Sequence, residues 1–144
     1  MADWALCSMA LFRGDLDAAS EFLAKASPSS ADPNEVLDPD GPLPYPEGWK
    51  RAFFEGTIRL LGGVEGAEIQ LMEAERLRPT PEGANNLGVA LHRKGREDEC
   101  MAQFALASRR LPGYRDALLN QRSEDQSKLI TTHPIRSHAS RNQY

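Results

Sequence analysis

The stretch that decides the fold runs from Ala84 to Pro112: ANNLGVALHRKGREDECMAQFALASRRLP. Ala84, Leu87, Gly88 and Leu91 fall at i, i+3, i+4 and i+7, the spacing that gathers side chains on one face of an α-helix. Gly95 tolerates positive φ and ends that helix, while Glu97 and Asp98 place negative charge in the first turn of the next. Cys100, Phe104, Ala107 and Leu111 form a second stripe, in which the small residues let two backbones approach around Phe104. Pro112 stops the second helix. The segment therefore predicts an antiparallel helix hairpin.

The hairpin recurs. Moving back 33 residues from the strip gives Arg51, Phe54, Glu55, Ile58, Gly62, Ala67, Leu71, Ala74 and Pro79. A further 48 residues back stand Leu6, Cys7, Ala10, Gly14, Ala19, Leu23 and Ala26, so 15 additional residues lie between the first unit and the second. A lone hairpin cannot bury its stripe, whereas three stacked hairpins share one continuous core.

These positions resemble the tetratricopeptide repeat, whose period is about 34 residues and whose signature has the same small, large and proline places. The likeness spans residues 2–27 and 48–112, as repeats at about 2–27, 48–80 and 81–113, and the third unit matches best. Glu55 stands where the family has a small residue, and Cys7 where it has glycine. The resemblance implies an all-α fold, a short right-handed solenoid of stacked antiparallel hairpins. It also implies a concave face, lined by the first helix of each hairpin, that binds a peptide or helix of another protein. That face maps to Trp4, Ser8 and Leu11 in the first unit, and to Trp49, Ala52, Phe53, Gly56 and Arg59 in the second. In the third it maps to Asn85, Asn86, Val89, His92 and Arg93. The expected partner contacts are Trp49, Phe53, Arg59, Asn85, Asn86, Val89, His92 and Arg93. Trp49 and Phe53, one turn apart, suit an aromatic platform, and the same spacing suits a core pair. Family members that clamp a terminal carboxylate need five polar groups. Only Asn86 is in place here, because Ala52, Gly56, Asp116 and Asn120 hold the other positions.

Composition narrows the classes further. The 144 residues fit one domain. A net charge of −4 disfavours a broad phosphate-binding surface, so nucleic acid is not expected. No apolar run nears the roughly 18 residues that cross a bilayer, and the start Met1-Ala2-Asp3-Trp4 lacks a secretory n-region, so a cytoplasmic protein is expected. Cys7 and Cys100 have no His or Cys at metal-ligand spacing, and no activating partner for a nucleophilic thiol can be named. No cofactor or metal is expected. No carboxylate pair, Ser/His/Asp set or phosphate loop stands at informative spacing, so no catalytic residue and no enzyme activity are expected.

Two segments lie outside the repeats. Residues 28–47 hold six of the ten prolines and five acidic residues without a Lys or Arg, an acidic extended insertion that is either solvated or a polyproline-II docking strip anchored by Tyr45. From about Tyr114 a helix bearing Leu118 and Leu119 is expected to cap the stack. Residues 121–144 read as a polar, flexible extension, in which His133 and His138 make a weak metal pair. The functional expectation is a protein-interaction module or assembly adaptor. A small secretion-type chaperone is the alternative, and it would need an apolar groove built from Trp49, Phe53 and Val89.

Overall fold

The computed structural model describes residues 3–25, 48–123 and 129–132, with side chains from residue 6 onward. Among the described residues every regular element is helical and no strand occurs. The helices are α1 (Asp3–Arg13), α2 (Leu16–Lys25), α3 (Trp49–Gly62), α4 (Ala67–Leu77), α5 (Pro81–Arg93), α6 (Glu97–Arg110) and α7 (Arg115–Arg122). Each packs on the next along the chain, and α3 also touches α5. The side chain of Trp4, and Tyr45, the acidic insertion and both tail histidines, lie outside what is described.

Local chemistry sets the breaks between helices. Gly14 (φ 79°) and Gly95 (φ 76°) turn the chain after α1 and α5 in left-handed geometry that an L side chain would strain. Asp15 Oδ1 accepts from the Ala18 amide at 3.1 Å and caps α2. Thr80 caps α5 by accepting from the Gly83 amide at 2.9 Å, with Pro81 in the first turn, where no intrahelical donor is needed. Arg110 of α6 reaches back to the Glu75 carboxylate of α4 and donates to the Thr80 carbonyl at 3.0 Å, joining the second hairpin to the third. Burial raises the Glu75 carboxyl above its ordinary value, against the lowering effect of Arg110.

The second unit differs from the expected register. A Cβ on Gly88 would lie 2.6 Å from Phe104 Cε1, and one on Gly56 would lie 2.6 Å from Leu71 Cγ. Gly56 and Gly88 are 32 residues apart, whereas Leu71 and Phe104 are 33 apart. The connection after α3 runs from Gly63 to Gly66 and is one residue longer than the one from Lys94 to Arg96. Positive φ falls on Gly63 (67°) and Gly66 (91°), not on Gly62. Gly56 is therefore the small residue of close approach, and Glu55 is half-buried and paired with Arg59 at 3.3 Å. Cys7 fills the corresponding place in the first unit, its Sγ 3.3 Å from the Ala19 carbonyl.

One core runs through the three hairpins, from Cys7, Leu11 and Leu23 through Phe53, Leu60 and Leu71 to Leu91 and Phe104. A second cluster of Ala84, Ala107, Tyr114 and Ala117 seats α7 on α5 and α6. A helix stands where the capping helix is expected, and only its apolar pair is corrected. Leu119 is 41% exposed and Leu118 half-buried, and α7 instead turns Asp116, Ala117 and Asn120 inward. Within residues 129–132, Leu129 packs on the core and Thr132 is fully buried.

Candidate functional site

The inward polar face of α7 meets Asn85 and Asn86 of α5, and residues 129–132 run across both. Asn120 Oδ1 accepts from the Ile130 amide at 2.7 Å, and its Nδ2 donates to the Ile130 carbonyl at 2.9 Å. Asn86 repeats the arrangement two residues on, accepting from the Thr132 amide at 2.7 Å and donating to its carbonyl at 3.0 Å. In an extended chain the amide and carbonyl of alternate residues point to one side, so two primary amides stand in for the edge of a neighbouring strand. Asn85 Nδ2 adds a bond to the Ile130 carbonyl at 2.9 Å.

The asparagines are themselves held. The second Nδ2 proton of Asn120 goes to Asn85 Oδ1 at 2.8 Å. That of Asn86 goes to Thr57 Oγ1 at 3.2 Å, and Thr57 in turn donates to the Phe53 carbonyl at 2.8 Å. Asn85, Asn86, Thr57 and Asn120 are all buried, so amides that would be costly if unpaired are fixed in position by mutual bonding.

A side-chain pocket completes the site. The Thr132 hydroxyl donates to Asp116 Oδ2 at 2.7 Å and lies 3.3 Å from Asn85 Nδ2. Since its only proton goes to Asp116, the adjoining Tyr114 hydroxyl acts as donor to Thr132 Oγ1. Tyr114 and Asp116 are buried with it.

The expected contact residues separate into three groups. Asn85 and Asn86 stand in the site. Trp49, Phe53 and Val89 are buried core: Trp49 is 7% exposed, and its ring stacks on Phe53 at 5.1 Å. The aromatic platform is therefore corrected to a core pair, with Phe54 edge-on to Phe53. Arg59, His92 and Arg93 serve the turns. Arg59 Nη1 donates to the Glu65 carbonyl at 2.8 Å, Arg93 donates to the Leu60 carbonyl near the end of α3, and His92 Nδ1 meets Glu97 Oε1 at 2.5 Å. In the first unit Leu11 is buried and Ser8 half-buried.

Tyr114, Asp116, Asn120, Thr57 and Thr132 were not among the expected contacts. The available signal was Asp116 and Asn120 at i, i+4 on α7, in the places where a carboxylate clamp would carry its last pair. The structure also draws His92, Glu97 and Cys100 together, their ligand atoms within 4.8 Å of one another, though they are not adjacent in sequence. Burial, and next Glu97, push the Cys100 thiol up to about 11. The His92–Glu97 contact joins the end of α5 to the start of α6. No described helix is long and apolar enough to cross a membrane.

Compared with known proteins, the chain matches no family model, no curated protein and no solved structure.

Proposed function

We propose that this protein is an interaction module of the tetratricopeptide type, which holds an extended segment of a partner polypeptide against the first helices of its hairpins. The observation that carries the reading is the paired engagement of Ile130 and Thr132 by Asn120 and Asn86, because those bonds address main-chain groups that any extended peptide offers. The surface is polar and rigidly bonded, which favours an adaptor over a chaperone. A chaperone groove would expose Trp49, Phe53 and Val89, and all three are buried. No catalytic role is assigned to any residue.

Peptides selected from a random display library against the full chain test the reading. They should lose binding to Asn86→Ala/Asn120→Ala protein whose helix content by circular dichroism matches the parent. Selected peptides that bind the double variant as tightly as the parent would contradict it.

A further inference from the structure

We infer that the site reads a threonine, and that Leu129–Thr132 is its resident ligand, which a partner segment of like chemistry displaces; this rests on the interaction reading above. The backbone bonds to Ile130 and Thr132 carry no sequence information. The pocket around the Thr132 side chain does. It offers one acceptor, Asp116 Oδ2, and two donors, Tyr114 Oη and Asn85 Nδ2, all buried and all converging on one oxygen. A hydroxyl satisfies the three together, because it gives one proton and accepts at two lone pairs. A valine of the same shape would leave a carboxylate and two donors facing a methyl group, and sites built to bond a hydroxyl discriminate strongly against its loss. Serine keeps the hydroxyl.

The occupant is also the chain's own. Ile130 lies ten positions after Asn120, the residue that holds it, so the connection closes within one molecule. Such a tether presents the resident segment at an effective concentration on the order of millimolar. A partner therefore competes with a built-in ligand, and weakening that ligand in cis should strengthen binding in trans.

The test uses the full chain and a fluorescein-labelled peptide with the sequence of residues 127–135, Ser-Lys-Leu-Ile-Thr-Thr-His-Pro-Ile. Anisotropy titrations compare parent protein, Thr132→Val and Thr132→Glu. Val removes the hydroxyl and keeps the shape, whereas Glu sets a second carboxyl against Asp116. The expected results are binding about tenfold tighter to Thr132→Val than to the parent, and binding about tenfold weaker for a peptide with valine in the Thr132 place. The serine peptide should stay within about threefold of the threonine peptide. Thr132→Glu should bind at least as tightly as Thr132→Val with its helix content retained.

Equal affinity of threonine and valine peptides would overturn the hydroxyl selection and leave the interaction reading standing. A Thr132→Val protein that binds no better than the parent, or a Thr132→Glu protein that unfolds, would make residues 129–132 a structural strap instead of a displaceable ligand. If no peptide bound any of the three folded proteins, both readings would fall.

Discussion

Asn86 holds both polar main-chain groups of Thr132, with Oδ1 2.7 Å from the amide nitrogen and Nδ2 3.0 Å from the carbonyl oxygen, across 46 residues of sequence. This pairing makes a segment far along the chain part of the folded unit and converts a helix face into a seat for an extended strand.

Asn86→Ala leaves the Thr132 amide and carbonyl and the Thr57 hydroxyl short of a partner in a buried setting. The expected loss is about 2–3 kcal/mol of unfolding free energy by urea titration. A change below about 0.5 kcal/mol, the size of an ordinary surface substitution, would mean the bonds contribute nothing to the fold.

Phe104 is 1% exposed and fills the space left by Gly88. Phe104→Ala should lower stability by about 3–5 kcal/mol, read from denaturant or thermal melts. An unchanged melt would remove the packing assigned to the third hairpin.

The register of the second unit has its own test. Gly56→Ala drives a Cβ to 2.6 Å from Leu71 Cγ and should destabilise by about 1–3 kcal/mol. Glu55→Ala should cost no more than about 0.5 kcal/mol, since it removes a half-exposed pair with Arg59. The reverse order of effects would restore the expected 33-residue register.

Burial pushes the Cys7 thiol up to about 12, and burial with Glu97 pushes Cys100 up to about 11, from an ordinary 9.0. Both folded values exceed the unfolded one, so the folded state resists losing these protons. Their contribution to stability is complete below pH 9 and is lost as pH rises toward 11 and 12. Urea midpoints should fall across that alkaline range. Iodoacetamide at pH 8 should label both cysteines only in denaturant, and rapid native labelling would contradict the buried thiols.

The hairpins were legible because their information is local. The stripe from Ala84 to Leu91, Gly95 at the turn and Pro112 at the end each act within a few residues. The one-residue slip in the second unit was not legible, because Gly62 and Gly63 are adjacent and either can close a helix; only contact with α4 decides between Gly56 and Glu55. Trp49 and Phe53 were open between surface and core for the same reason. Asn85 and Asn86 were expected as contacts from their place on a first helix. Asp116, Asn120 and Thr132 were not, because a polar residue reads as solvent-facing until its long-range partner is known. A stretch such as Leu129–Thr132 inside a polar extension carries no periodicity that announces burial.

The central claim is that side-chain amides hold residues 130 and 132 as a strand is held by its neighbour. Amide hydrogen exchange followed by NMR tests it directly, at Ile130, Thr131 and Thr132 in the parent protein and in Asn86→Ala. The account predicts slow exchange at Ile130 and Thr132, faster exchange at the intervening Thr131, and loss of protection at Thr132 in the variant. Exchange of Ile130 and Thr132 at the rate of an unstructured peptide would contradict it.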